Sequence, residues 1–258
     1  FGTGTENTSS PADFPYWDNV IGDRIYVGDN RYIRAWHTWT GGIYTPLTDP
    51  DDATTITDIA VTTTGSLQAL PTVPIITSPV VQGETVLMIG DGNRRNARTY
   101  WDIDFAAGPN NDTWSVQGDP QLYDDTEADG FTVTGSGAVK RWGRNRAASD
   151  DAVVISFLGT ETITFATAFD GPGDDGVMMW EAQGSAGDSG GVAFVYRDGQ
   201  WQLAGIMHAI GGIDTTDPTP TFVNIEEDGD NFNAYLRYEN PGPPEGSVEG
   251  TFRSTTYI

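Results

Sequence analysis

Short apolar runs that end at turn residues place the strongest restriction on the fold of this chain. Residues 192–206 show the pattern most clearly, with a strand-like run, a polar turn and a second strand-like run, which is typical of a β-hairpin. Residues 24–36 repeat it around the turn Gly28-Asp29-Asn30. The chain has 32 Gly and 15 Pro but a single Lys, a composition that suits many short strands better than long helices. We therefore expect an all-β protein.

The charge of the chain limits its partners. Thirty-seven acidic and 13 basic residues give a formal charge of −24. A surface this acidic repels phosphate backbones and anionic lipid, so we expect neither nucleic acid nor membranes as partners. The acidity is typical of a protein that works in a salty or extracellular medium. The chain lacks cysteine, which excludes disulfides, thiolate chemistry and Cys-based zinc sites.

Length and apolar content indicate a soluble protein. At 258 residues the chain can form one large or two small domains with a sizeable core. Its longest apolar run, 152–158, is too short to cross a bilayer. The opening Phe1-Gly2-Thr3-Gly4 is not a basic region followed by an apolar stretch, so we expect a signal peptide to be lacking or already removed.

The motif Gly187-Asp188-Ser189-Gly190-Gly191 is the strongest chemical signal. A nucleophilic serine needs a tight turn whose amide N–H groups converge on the developing oxyanion. Gly187 can adopt backbone angles that other residues avoid, so its N–H and that of Ser189 can point into one oxyanion hole. The same residues would also make an ordinary polar loop, and the context has to decide.

The nucleophile elbow of α/β-hydrolases is excluded by that context. The elbow requires a helix after the serine, then an acid and a histidine downstream. Here a strand, a turn and a strand follow Ser189, and the one acid before His208 is Asp198, which lies in the turn.

A general base upstream of the serine remains. The chain has two histidines, and His37 follows the strand-like run 32–36. Asp58 comes 21 residues later at the start of an apolar strand, where a carboxylate is costly unless it is partnered. The Nδ1–H of a histidine is such a partner, and its hydrogen bond to the carboxylate holds the imidazole in the right tautomer. We predict a catalytic triad of His37, Asp58 and Ser189.

These motifs together resemble the trypsin/chymotrypsin family of serine peptidases, in its disulfide-free, secreted bacterial form. Gly187-Asp188-Ser189-Gly190-Gly191 matches the nucleophile motif of the family, and Asp58-Ile59-Ala60-Val61 matches its acid motif. The stretches 83–92, 141–146 and 201–206 are similar to further strands of these peptidases. The resemblance implies a secreted enzyme that hydrolyses a polypeptide substrate through an acyl-enzyme.

The family resemblance also implies two antiparallel six-stranded β-barrels with the triad in the cleft between them. We predict the following division: an N-terminal arm at 1–13, a first barrel at 14–78, a second barrel at 79–240 with an insertion at 93–135, and a C-terminal tail at 241–258. A short C-terminal helix is expected at 230–238.

Two residues are candidates for substrate binding. Gln183 stands six positions before the nucleophile, where the resemblance implies the floor of the primary pocket, and a neutral side chain there does not favour Arg or Lys. His208 stands close to the position where the family carries a Ser beside the buried Asp. It could instead line the pocket and hold an acidic side chain, as in some glutamyl endopeptidases, but we favour the structural role beside Asp58.

No cofactor is required by this chemistry. Calcium remains open because acidic clusters occur, although none has a diagnostic ligand spacing. The clusters are Asp49/Asp51/Asp52, Asp124/Asp125, Asp170/Asp174/Asp175 and Glu226/Glu227/Asp228/Asp230. The alternative to a peptidase is a catalytically impaired binding module on the same fold, and an esterase would differ in substrate alone. The sequence does not indicate an oligomeric state.

Overall fold

The regular structure of the chain is almost entirely β-strand. The computed structural model describes residues 7–38, 45–48, 52–63, 69–92, 97–104, 113–116, 130–134, 138–150, 152–157, 159–169, 178–184, 187–214, 222–223, 234–239 and 251–258. Within these residues the helical exception is a 3₁₀ turn at Trp17–Asn19. None of the helical structure in these ranges has the length and apolar character that a membrane crossing requires. The prediction of an all-β protein is confirmed.

The strands follow one another along the chain as short segments of two to eight residues. The first five are β1 (Val20–Ile21), β2 (Arg24–Gly28), β3 (Arg31–Ala35), β4 (Thr45–Thr48) and β5 (Ile56–Thr63). The next eight are β6 (Thr85–Gly90), β7 (Ala97–Asp104), β8 (Thr113–Val116), β9 (Gly130–Thr134), β10 (Arg141–Arg146), β11 (Val153–Phe157), β12 (Thr160–Thr164) and β13 (Ala166–Ala168). The last six are β14 (Val192–Arg197), β15 (Gln200–Ile206), β16 (Ala209–Asp214), β17 (Phe222–Val223), β18 (Ala234–Glu239) and β19 (Thr251–Tyr257).

The first sheet is antiparallel, with the strand order β1-β2-β3-β5-β4. Its central hairpin, β2–β3, turns through Asp29 and Asn30, whose φ angles are 49° and 60°. Asp and Asn tolerate this left-handed region better than most residues, which explains the turn at this point. The hairpin predicted at 24–36 is confirmed. In the β3–β5 ladder Ala35 pairs with Ile59, so the residues just after β3 lie beside Asp58.

A second antiparallel sheet has the order β10-β6-β14-β15. The β14–β15 hairpin predicted at 192–206 is confirmed, and it turns through Asp198 and Gly199 with φ angles of 52° and 79°. Strand β6 pairs with β10 on one side and β14 on the other.

The main core lies between these two sheets. Leu87 and Ile89 of β6 pack with Phe194 in a cluster that also contains Ile25 of the first sheet. Val86 and Met88, which alternate with them, belong to a second cluster on the opposite face of β6. Since both faces of the strand are buried, its run of apolar residues is continuous rather than alternating. Burial of one such side chain contributes about 1.5–3 kcal/mol.

Two further sheets complete the described structure. Strands β11 and β12 form a two-stranded ladder, and a larger sheet has the order β17-β16-β19-β18-β9-β7-β8, with β13 also paired to β19. The segment predicted as an insertion, 93–135, contains β7, β8 and β9 of this larger sheet. In the described residues the four sheets are separate ladders and do not close into barrels.

The predicted C-terminal helix is wrong. Residues 234–239 form β18, which pairs with β9 and β19, while 230–233 lie outside the described residues. A short run with two tyrosines fits a strand as well as a helix, and two neighbouring strands supply its hydrogen bonds here.

The C-terminal segment also differs from the predicted tail. Residues 251–257 form β19, which pairs with β13, β16 and β18, and Ile258 is buried in the second core cluster. The Pro-rich run at 240–244 indicates the end of a folded region when it is considered alone, but strand pairing beyond it continues the sheet.

Candidate functional site

His37 is held beside Asp58 by the end of the β3–β5 ladder. The amide N–H of Trp36 donates to the backbone oxygen of Asp58 at 2.8 Å, and the amide N–H of His37 donates to Asp58 Oδ1 at 2.7 Å. The side chains are also in contact, because Nδ1 of His37 lies 2.5 Å from Asp58 Oδ2. The structure thus joins the first two members of the predicted triad through both backbone and side chain.

A buried arginine fixes the turn that follows His37. Arg34 on β3 donates through Nε and Nη2 to the hydroxyl of Thr38, at 3.2 and 2.7 Å, and through Nη2 to the Thr38 carbonyl at 3.0 Å. Its guanidinium also pairs with the carboxylate of Asp23. Sequence reasoning missed this residue, although an Arg in the otherwise apolar run 32–36 is a signal that it has a partner.

Asp58 has a second imidazole partner. Nδ1 of His208 lies 2.6 Å from the same Oδ2 atom that His37 contacts, and the side chain of Asp58 is only 1% exposed. The two rings meet edge to face, with centroids 5.7 Å apart. His208 therefore lies beside Asp58, where the favoured structural role requires it to be.

The ionised form of Asp58 is strongly favoured. Burial raises the pKa of this carboxyl, but hydrogen bonds from His208 and His37, together with the charges of both rings, lower it to about 2. An ionised carboxylate only accepts hydrogen bonds, so each ring must donate through Nδ1–H. In a neutral His37 this leaves Nε2 as the acceptor atom. The backbone N–H of Asp58 donates to Thr162 Oγ1 of β12 at 2.9 Å, an anchor that sequence reasoning also missed.

The Ser189 loop has the backbone shape that its glycines predict. Gly187 and Gly190 both have left-handed φ angles, 89° and 84°. The loop is tied to the segment before β16, since Gly190 N–H donates to the Met207 carbonyl at 2.9 Å and Met207 N–H to the Gly191 carbonyl at 2.7 Å. A Cβ on Gly190 would collide with the backbone oxygen of Asp23, so this loop also touches the first sheet.

Ser189 itself is half-buried on this loop. Across the described part of the chain, no hydrogen bond joins its hydroxyl to His37, and the amide N–H groups of Gly187 and Ser189 donate to no other group. Met207, to which the loop is tied, directly precedes His208. The structure therefore joins His37, Asp58 and His208 by direct contact, and it links the Ser189 loop by backbone hydrogen bonds to Met207, the residue before His208.

Asp188, next to Ser189, is buried and partnered. Its Oδ1 accepts the amide N–H of Gly92 at 2.7 Å, and its Oδ2 lies 3.8 Å from Arg141 Nη2. A Cβ on either Gly90 or Gly92 would collide with the Asp188 carboxylate. Burial raises the pKa of the adjacent Asp91, and the charge of Asp188 raises it further. Sequence reasoning did not identify Arg141 as a partner of Asp188.

Gln183, the predicted floor of the primary pocket, lies between two anchored residues. Ala182 N–H donates to the Arg144 carbonyl at 2.9 Å, and Gly184 N–H donates to Thr256 Oγ1 at 2.7 Å. The Gln183 Oε1 atom is buried without a hydrogen-bond partner among the described residues. The segments 170–177, 185–186 and 215–221 lie outside the described residues, so the predicted pocket is described only at Gln183.

One set of described side chains has the composition of a metal site. Nδ1 of His37, Oδ2 of Asp58 and Nδ1 of His208 all lie within 4.8 Å of one another. Of the acidic residues considered for calcium, all but Asp52 lie outside the described residues. Asp52 accepts hydrogen bonds from Thr54 and Thr55 in an exposed turn.

Comparisons with known proteins give no relative from which a role could be transferred. No protein-family model, curated protein or solved structure matches this chain. The chemical interpretation of the site therefore depends on its own residues and their geometry.

Proposed function

We propose that this chain is a serine endopeptidase in which His37, Asp58 and Ser189 act as the catalytic triad. The observation that carries the proposal is the 2.5 Å contact between His37 Nδ1 and a buried, ionised Asp58. This contact orients the ring, fixes its proton on Nδ1 and leaves Nε2 to act as a base. A carboxylate in this position also stabilises the imidazolium that forms during the reaction.

The proposed reaction forms and breaks an acyl-enzyme. His37 Nε2 takes the proton of the Ser189 hydroxyl as Oγ attacks the carbonyl carbon of the scissile peptide bond. The amide N–H groups of Gly187 and Ser189 would stabilise the resulting oxyanion. His37 then gives its proton to the leaving amine, and water, activated by the same ring, releases the acid product and restores the serine.

The Ser189 loop supports this assignment. Gly187 has the left-handed φ angle that lets neighbouring amides converge, and neither proposed oxyanion donor is used by another described group. The loop is also tied to Met207, one residue from the His208 that contacts Asp58. The side chains of Ser189 and His37 are both half-buried, and the proposal requires the Ser189 hydroxyl to reach His37 Nε2.

We further propose a chymotrypsin-like arrangement of two six-stranded β-barrels. For the second barrel the support is a chain of strand pairings from β14 through β6 to β10, and from β13 through β19 to β16. An isolated bridge from Ala147 to Thr167 links these two groups. The proposed enzyme is secreted and acts on polypeptides, and the neutral Gln183 does not favour Arg or Lys in the primary pocket.

Cleavage of a peptide library, followed by mass spectrometry, tests the function. The wild type should cut internal peptide bonds without a preference for Arg or Lys, and Ser189→Ala should abolish cleavage. Ser9→Ala is the matched control, because the side chain of Ser9 is exposed and lies on the N-terminal segment. Equal cleavage by wild type and Ser189→Ala, or none by a folded wild type, would reject the proposal.

A binding module without turnover is the second candidate. The observation that favours it is that His208 shares the Oδ2 atom of Asp58 with His37 while Ser189 is not hydrogen-bonded to His37 among the described residues. Such a module would bind peptides from the library and leave them intact, and Ser189→Ala would not change their affinity.

A further inference from the structure

Three side chains from separate segments direct their donor atoms to one point. His37 follows β3, Asp58 lies on β5, and His208 lies between β15 and β16. Their Nδ1, Oδ2 and Nδ1 atoms lie within 4.8 Å of one another. Two imidazoles and one carboxylate are the ligand set found in many zinc sites that keep a fourth position open.

We propose that His37, Asp58 and His208 bind one divalent transition-metal ion, for which Zn²⁺ is the best suited, and that the bound ion switches the site off. The binding site stands without the proposed peptidase function, whereas the switching effect rests on that function.

The spacing of the three atoms is compatible with entry of an ion. The two Nδ1 atoms are 2.5 and 2.6 Å from Oδ2, as hydrogen-bonded groups are. A tetrahedral zinc ion with bonds of about 2.0–2.1 Å separates its ligand atoms by roughly 3.3 Å. Withdrawal of the Asp58 carboxylate by less than about 1 Å, through rotation of its side chain, provides this separation for the two Nδ1–Oδ2 pairs. The two Nδ1 atoms lie within 4.8 Å of each other, and a bound ion requires rotations of the rings that bring them to the same separation. The rings already approach from different directions, with an interplanar angle of 73°.

The exposed fractions of the three side chains indicate the side from which an ion would enter. The side chains of Asp58 and His208 are 1% and 3% exposed, whereas that of His37 is 16% exposed. The ion would therefore arrive on the His37 side, and a water molecule would fill its fourth position there. The net charge of −24 raises the local concentration of cations around the chain.

Metal binding changes the tautomer of both rings. Each Nδ1 now donates its proton to Asp58, so a metal bound at Nδ1 moves that proton to Nε2 in a neutral ring. No proton has to leave the protein for this exchange. With Nε2 protonated, His37 cannot accept the Ser189 proton, and zinc acts as an inhibitor of the proposed hydrolysis.

Nitrogen NMR of the two histidines tests the site directly. The chain has only two histidines, so ¹⁵N-histidine labelling of Ser189→Ala, which cannot digest itself, gives four ring signals. One equivalent of Zn²⁺ should convert both rings from the Nδ1–H to the Nε2–H tautomer, and a chelator should reverse the change. Signals that stay unchanged at several equivalents of Zn²⁺ in the folded protein would overturn the proposal.

Calorimetric titration with Zn²⁺ measures the affinity. The titration is carried out with excess Mg²⁺, which occupies the acidic groups on the surface. The Zn²⁺ binding that remains should have a stoichiometry of one ion per chain. His208→Gln should weaken it at least about tenfold, because it removes a ligand. Asp52→Asn, an exposed acid outside the site, is the matched control and should leave the affinity unchanged. Many weak sites with equal affinity in wild type and His208→Gln would contradict the proposal.

Fluorophosphonate labelling of the wild type tests the switching effect. Zn²⁺ at saturation should slow labelling of Ser189 at least about tenfold, and a chelator should restore it. Equal labelling with zinc bound would overturn the switch. A folded wild type that is never labelled would reject the proposed function, while the NMR result alone would still decide the metal site.

Discussion

At the scale of single residues, one buried carboxylate organises the site. Asp58 receives two ring nitrogens on Oδ2 and a backbone N–H on Oδ1. The sequence predicted the pairing of His37 and Asp58, because an acid at the start of an apolar strand needs a partner. It could not predict that both rings share one oxygen atom, since that depends on how the segment before β16 packs against β5.

The acid stability of the protein should reflect Asp58. Its pKa is lowered to about 2 in the folded chain, against a usual value of 3.8. A lowered pKa contributes stability above the usual value, and this contribution is lost as the pH falls toward 2. Asp58→Asn removes the titration, so the advantage of the wild type in unfolding free energy should shrink by about 2 kcal/mol between about pH 5 and pH 2.

Denaturant unfolding of wild type and variant across this pH range measures the effect. Asp29→Asn is the control, because this residue lies exposed in a turn whose φ angle of 49° also suits Asn. The prediction is contradicted if the free-energy gap between wild type and Asp58→Asn is independent of pH.

Arg141 should be needed for the shape of the Ser189 loop. It lies 3.8 Å from the buried carboxylate of Asp188, the residue before Ser189. Arg141→Met keeps most of the volume but removes the charge, and should cost about 2 kcal/mol of stability because a buried anion loses a counter-ion. We expect kcat/KM to fall at least about tenfold as well.

Thermal unfolding and peptide hydrolysis check the Arg141 prediction. Arg146→Met, at the exposed end of the same strand, should change the unfolding free energy by less than about 0.5 kcal/mol. Equal effects of the two substitutions would show that the charge beside Asp188 has no special role.

At the scale of elements, local signals predicted the hairpins and failed where distant pairing decides. The β2–β3 and β14–β15 hairpins follow from turn residues that accept left-handed angles, such as Asp29 and Gly199. Strands β18 and β19 were predicted as a helix and a tail, because their partners lie far away in the sequence. A partner such as β9, which precedes β18 by about a hundred residues, leaves no local signal.

Substitutions at two glycines with similar φ angles distinguish the cost of backbone strain from the cost of a steric collision. Gly190 and Gly199 have φ angles of 84° and 79°, but a Cβ on Gly190 would collide with Asp23, whereas Gly199 has open space around it. Gly199→Ala should cost about 1 kcal/mol from backbone strain alone. Gly190→Ala should cost clearly more and should also slow the labelling of Ser189, because the loop must move. Equal losses of stability and unchanged labelling would show that the contact between Gly190 and Asp23 does not constrain the loop.

At the scale of the whole molecule, electrostatic repulsion between acidic side chains opposes the stabilisation that the core provides. Thirty-seven acidic side chains repel one another in the compact state, while the core between the first two sheets holds that state together. The sequence was sufficient to predict this balance and the all-β class. The sequence was not sufficient to predict how the sheets close, since closure depends on contacts between segments that no local pattern specifies.

Salt should therefore stabilise the protein. Raising NaCl from about 0.01 M to about 0.2 M shortens the Debye length from about 30 Å to below 10 Å, which screens the repulsion between surface carboxylates. We expect the melting temperature to rise by several degrees over this range and then to level off. A melting temperature that falls or does not change would show that self-repulsion is a minor term in stability.

The rate at which Ser189 reacts with a fluorophosphonate is the sharpest test of the proposed triad of His37, Asp58 and Ser189. We expect one covalent adduct per chain, mapped to the peptide that contains Ser189, and a rate at least about a thousandfold lower in His37→Gln because the proposed base is lost. A folded wild type that remains unlabelled, or one that reacts at the same rate as His37→Gln, would contradict it.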